Sequence, residues 1–227
     1  MTAAAAAGPR IGLIHATAFS MPPIDAAFDR LWPQARRMHL LDDSLSRDRQ
    51  RDGDLTPAMV QRFVDLATYA KRAGAQGILF TCSAFGPAIE AAGRAVAIPT
   101  LKPNEALFSQ ALARGRRLGL MVTFEPSLES LAQELRGLAA QRGAAIELRT
   151  VFVPEAMDDL AQGRAADHHC KIAAAAGVLA DCDAVMLGQF SMAPAQPQVQ
   201  AALRCPVLTT PECAVQALRE RISAGPG

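Results

Sequence analysis

From Arg117 onward the chain repeats, in faint but regular form, the pattern that begins at Arg10. This duplication limits the available folds more than any other feature. With the second half slid back by 107 positions, the halves register without a gap: Arg10, Gly12, Leu13 and Ser20 fall on Arg117, Gly119, Leu120 and Ser127. Ala67 and Ala73 fall on Ala174 and Ala180, Ile78-Leu79-Phe80 on Val185-Met186-Leu187, and Pro87 on Pro194. Pro99, Leu101 and Glu105 fall on Pro206, Leu208 and Glu212. A period of this kind means that one folding unit is used twice.

Within each copy, short apolar runs alternate with helical patterns. Arg10 to His15, Arg37 to Leu41, Ile78 to Phe80 and Val96 to Leu101 read as strands. Asp25 to Leu31, Pro57 to Arg72, a segment from Ala88, and Asn104 to Arg114 read as helices. In the longest of these, Met59, Val60, Phe63, Val64 and Ala67 mark one buried face, Thr56 is placed to cap it and Gly74 to close it. Strand–helix alternation predicts parallel sheets. The expected fold is α/β, with two pseudo-two-fold-related lobes, each a parallel four-stranded sheet flanked by helices. The lobes are expected at residues 10–105 and 106–211, after a disordered lead-in over 1–9, with a helix over 212–227 packing back on the first lobe. Ligands of open parallel sheets bind beyond the carboxyl ends of the strands. An active site is therefore expected in an inter-lobe cleft, where the offset sets Gln189 opposite Cys82.

Cys82 lies where the Ile78–Phe80 strand ends and, after Thr81-Cys82-Ser83, a helix opens near Gly86 and Pro87. Unpaired N–H groups and the positive end of a helix dipole at such a place favour a thiolate and an anionic ligand. The alternative is a small buried filler residue.

Composition removes several function classes. Half of the 227 residues are hydrophobic, 20% are charged and the net charge is +1, so neither nucleic acid nor an acidic membrane surface is indicated as a partner. No apolar run approaches the roughly 18 residues of a membrane span. The opening residues have no basic leader and so do not read as a signal peptide. Five cysteines (82, 170, 182, 205 and 213) are odd in number and have no CxxC spacing. They predict free thiols in a reducing cytoplasm, without a disulfide framework or zinc site.

The duplicated halves, Thr81-Cys82-Ser83, Gly188-Gln189-Phe190-Ser191 and the loop Val122 to Ser127 together resemble the aspartate/glutamate racemase superfamily. That superfamily includes hydantoin racemases, maleate isomerases and arylmalonate decarboxylases. The resemblance runs from about Arg10 to about Ile222. It implies chemistry without pyridoxal phosphate or metal at a carbon beside a carboxylate, and often a homodimer or larger assembly. In the family pattern, two cysteines flank that carbon, and backbone amides and hydroxyls hold the carboxylate and the developing enolate. Gln189 stands where the second cysteine belongs, and its amide does not shuttle protons at neutral pH. The chain is thus a one-cysteine variant. The first expectation is an isomerase with Cys82 as acid/base or nucleophilic thiol, acting on a small carboxylate substrate. The alternatives are a one-thiol decarboxylase of malonate-like acids, in which the family retains the second-lobe cysteine, and a carboxylate-binding protein without turnover.

Around that centre, Ser83, the Ala84 amide and Ser191 are candidates to grip a carboxylate, with helix capping as the alternative for the serines. Thr123 and Ser127 follow the second lobe's first strand and can line the cleft. His15 ends the first strand and is a candidate acid/base partner for Cys82, or a structural histidine. Lys102 either pairs with a substrate carboxylate or is solvated. Glu105 and Glu212 share a repeat position suited to capping. His168-His169-Cys170 point to different helix faces and do not make a metal site. Cys205 and Cys213 match Ile98 and Ala106, which predicts packing. The charged run Arg47 to Asp54 reads as a solvated loop, long enough to lie over the cleft.

Overall fold

The computed structural model describes residues 8–224. Most of the expected lead-in, and the end of the expected C-terminal helix, lie outside the described residues. In order, the elements are β1 (Arg10–His15), α1 (Met21–Leu31), β2 (Arg36–Leu41), α2 (Ser44–Asp52), α3 (Pro57–Arg72), β3 (Gly77–Phe80), α4 (Gly86–Val96) and β4 (Thr100–Leu101). They continue with α5 (Glu105–Leu112), β5 (Arg117–Val122), α6 (Pro126–Gln141), β6 (Glu147–Phe152), α7 (Ala156–Ala161), α8 (Ala165–Ala175), β7 (Ala184–Leu187), α9 (Gln196–Ala202), β8 (Val207–Thr209) and α10 (Thr210–Ser223).

Two compact units result. One runs to Lys102 and takes back the chain from Val215; the other is Pro103–Ala214. The first holds a parallel sheet in the order β2-β1-β3-β4, and the second a parallel sheet in the order β6-β5-β7-β8. In both, the inner strands are covered on both faces, which is why they read as unbroken apolar runs.

In the first unit, α3 buries Met59, Phe63, Ala67 and Ala70 along one stripe, and Thr56 caps it by accepting from the Met59 N–H at 3.2 Å. Phe63 stacks on Phe80 at 5.4 Å between ring centroids and meets Phe85 at 4.8 Å. Each buried ring contributes about 1.5–3 kcal/mol, so Cys82 lies between two anchored aromatic residues. A Cβ on Gly77 would sit 2.7 Å from Ile222 and 3.1 Å from Leu218, so the last turns of α10 rest on the start of β3. Gly12 and Gly119, one repeat apart, allow the equivalent close approach: added Cβ atoms would lie 3.1 Å from Ala70 and 2.9 Å from Leu179.

The repeat has one internal slip. The common offset holds for β1/β5, β3/β7 and the start of β4/β8, but Arg36 corresponds to Glu147, four residues beyond it. Helix α6 has 16 residues against 11 in α1, and α7 has 6 against 9 in α2, so the shift accumulates before the second strand and is lost after it. The gapless register is therefore two compensating length changes.

Three local expectations also change. Val96 is the last residue of α4, on its buried Ala88-Ile89-Ala92-Val96 face; Ala97 turns left-handed at φ 50°, and only Thr100–Leu101 is strand. The charged run is helix α2, with Leu45 buried, Gly53 closing it at φ 71°, and Arg62 paired to Asp48 at 2.6 Å and to Asp42 at 2.5 Å. At the chain start, the Gly8 and Pro9 carbonyls each accept from Arg36 at 2.9 Å, so these two residues are tied to β2.

Candidate active site

In the first unit, Cys82 follows β3 and caps a single 3₁₀ turn, Ser83–Phe85, that leads into α4. The turn forms because Phe85 buries inward and Gly86-Pro87 starts the helix. Burial pushes the half-buried thiol up to about 11, against smaller opposing effects from the Ala84 N–H and the Ser46 hydroxyl. At this position desolvation acts against the thiolate and the local donors act for it, the former being the larger effect. Ser83 opens the turn, and Ala84 directs its N–H at the sulfur.

His15 is fully buried at the end of β1. Its Nδ1 lies 2.8 Å from the Thr81 hydroxyl and 3.0 Å from that of Ser20, and its Nε2 lies 3.0 Å from Nδ1 of His39. Burial, and then the neighbouring His39, lower His15 to about 4, so it is a neutral imidazole. Both nitrogens have partners within the first unit. Lys102 pairs with Glu90 at 3.0 Å at the surface.

In the second unit, Gln189 occupies the equivalent place after β7. Its Oε1 accepts from the Thr123 N–H at 2.6 Å and the Thr123 hydroxyl at 2.9 Å. Only an oxygen can meet a backbone N–H there, so the amide orientation is determined and the N–H₂ end points away from Thr123. Ser127 is buried and donates to the Phe124 carbonyl at 2.7 Å, closing the turn that opens α6. Ser191 contacts the Met157 sulfur at 3.9 Å. Glu105 and Glu212 each lie in the first turn of a helix, as their repeat position predicted.

Of the residues set aside, His168 is buried, His169 half-buried and Cys170 exposed on α8, and no metal-ligand cluster occurs among the described residues. Cys205 and Cys213 are buried. No described helix is long and apolar enough to cross a membrane. Sequence reading missed Ser46, one residue before the charged run, and the group Asp25, His39, Ser20 and Thr81. Only Thr81, adjacent to Cys82, carried a local signal.

The Asp/Glu/hydantoin racemase family model matches residues 11–129, slightly more than half of the chain. The chain belongs to the Asp/Glu/hydantoin racemase family. No curated protein sequence matches significantly. Among solved structures, an aspartate racemase homologue from Pyrococcus horikoshii superposes with a TM-score of 0.69 at 16% identity, over 94% of this chain and 99% of its own. Glutamate racemase from Francisella tularensis gives 0.69 at 15%, over 96% and 82%. Arylmalonate decarboxylase gives 0.62 at 19%, over 96% and 94%. At these identities the likeness shows the racemase-family fold, two parallel four-stranded sheets flanked by helices.

Proposed function

We propose that this racemase-family chain is an enzyme in which Cys82 delivers a proton to a carbon beside a carboxylate, after that carbon has lost carbon dioxide. The substrate class is a malonate-like acid, and no cofactor is invoked, as the family resemblance implies. In this reading the bond from the carbon to one carboxyl group breaks and its electron pair enters the remaining carboxylate as an enediolate. Carbon dioxide leaves, and the Cys82 S–H gives its proton to the carbon. Solvent then reprotonates the thiolate.

The observation that carries this reading is that Cys82 follows β3 while its repeat counterpart after β7 is Gln189, so the repeat supplies one thiol and no second titrating group. A thiol raised to about 11 is an acid at neutral pH, and the repeat position that holds a second cysteine in the family is Gln189, which does not titrate. One proton donor suffices for decarboxylation, whereas two-sided racemisation needs a second acid/base group. The Ala84 N–H and the Ser46 hydroxyl ease formation of the product thiolate.

A second reading, isomerisation beside a carboxylate, is favoured by those same two donors. Both act to favour the thiolate form of Cys82, the form a base or nucleophile needs.

The deciding experiment offers the full chain aryl- and alkyl-malonates and assays carbon dioxide release. In parallel, amino and hydroxy acids in heavy water are monitored for deuterium at the α-carbon, with Cys82→Ser as control. Release that Cys82→Ser abolishes supports the proposal. Deuterium wash-in without release selects isomerisation, and tight carboxylate binding with neither signal selects a binding protein.

A further inference from the structure

The chain Asp25–His39–His15–Thr81 is a set of polar contacts that crosses three elements and stops at the residue before Cys82. Asp25 Oδ1 lies 3.2 Å from His39 Nε2, with Arg37 3.3 Å from the same oxygen. His39 Nδ1 lies 3.0 Å from His15 Nε2, the two rings being within 13° of parallel. His15 Nδ1 lies 2.8 Å from Thr81 Oγ1. Ser20 completes the inner end: its hydroxyl lies 2.8 Å from Thr81 Oγ1, 3.0 Å from His15 Nδ1 and 2.9 Å from the Thr17 carbonyl oxygen. One residue past His15, the Ala16 carbonyl accepts from Ser46 at 3.3 Å, and Ser46 is also the hydroxyl partner of the Cys82 sulfur.

We infer that His15 is a positioning residue for Cys82, its tautomer set from Asp25 through His39. A carboxylate only accepts, so His39 carries its proton on Nε2 and accepts at Nδ1. His15 then donates from Nε2, and its Nδ1 accepts the Thr81 hydroxyl. Every link points toward Asp25, which holds Thr81, the residue before Cys82, in one orientation. The equivalent of His15 in the second unit is Val122, and the equivalent of Thr81 is Gly188. The device therefore belongs only to the unit that carries the cysteine. The inference concerns the geometry of Cys82 and rests on the proposed function only for its consequence in turnover.

The test compares His15→Gln, which keeps one donor and one acceptor, with His15→Phe, which keeps volume and loses both. The readout is the pH profile of Cys82 alkylation by iodoacetamide, followed by peptide mass spectrometry, with thermal unfolding recorded beside it. The expected result is that Phe changes the alkylation rate by about tenfold or more, that Gln retains the native profile, and that Asp25→Ala shifts it in the same direction as Phe. Nitrogen-15 spectra of the native protein should show a proton on Nε2 of both histidines and none on Nδ1 of His15. A Phe variant that melts lower yet alkylates as the native protein does would reduce His15 to a packing residue. A Gln variant as altered as Phe, or an Nδ1-protonated His15, would overturn the assigned direction. Failure of carbon dioxide release with the alkylation result intact would overturn the proposed reaction and leave this inference standing.

Discussion

The Gln189 side-chain oxygen accepts two hydrogen bonds from one residue, Thr123, through its N–H at 2.6 Å and its hydroxyl at 2.9 Å. Thr123 is buried, so removing the acceptor leaves a backbone donor without a partner. Gln189→Ala should therefore cost about 1–3 kcal/mol, measured as a fall in the urea midpoint. Gln189→Glu keeps an oxygen at the same place and should cost less. Equal losses in the two variants would mean that the Thr123 bonds do not carry the effect.

The protonated state of Cys82 predicts slow alkylation at neutral pH, with the rate rising through an inflection near 11. Exposed Cys170 should react first. Ser46→Ala removes a group that favours the thiolate and should move the inflection upward. Because the folded thiol holds its proton to higher pH than the ordinary value of 9.0, stability should fall as pH rises from about 9 to about 11. An inflection below 8 would return Cys82 to the thiolate class.

Acid should destabilise the protein in two stages. His15 and His168 are each lowered from 6.5 to about 4, chiefly by burial. Between those values the unfolded chain takes up protons that the native state refuses. Stability conferred above pH 6.5 is thus lost as pH falls toward 4, with a slope approaching about 2.7 kcal/mol per pH unit for two groups. Asp183, held down to about 2 by the Arg117 and Arg116 N–H groups and the Arg117 guanidinium, adds a further loss between about 4 and 2. Urea titrations from pH 8 to 2.5 should show both stages, and Asp183→Asn should shrink the second, to which Asp42, Asp48 and Asp159, also held down, contribute as well.

Two glycines should respond in opposite directions. A Cβ at Gly119 would meet Leu179 at 2.9 Å and Val185 at 3.1 Å, so Gly119→Ala should cost about 1–3 kcal/mol. Gly137 lies inside α6 with nothing within 4 Å of an added Cβ, so Gly137→Ala should stabilise by about 0.5–1 kcal/mol. Calorimetric melting of both variants checks the pair.

Much of the first unit was legible in its sequence because the relevant signals are short-range. Thr56 three residues before Met59, the apolar stripe of α3, and Pro87 at the head of α4 each follow from neighbours within one helical turn. The boundary of α4 was misread because Val96 is apolar in either a strand or a helix, and only its place on a buried helical face decides between them.

What the sequence alone determined was the repeat, the four-strand plan of each half and the place of Cys82 between a strand and a helix, since periodicity and turn residues are local properties of a chain. The tertiary structure decided the chemistry at those places. Thr81 meets His15 across 66 positions, Thr123 meets Gln189 across 66, and Lys102 turns to Glu90 twelve residues away. The direction in which the Cys82 thiol is pushed depends on how closely the chain wraps its sulfur. Hydrogen-bond partners and desolvation are set by packing between distant segments, and composition and spacing do not encode which of several available partners a buried group will meet.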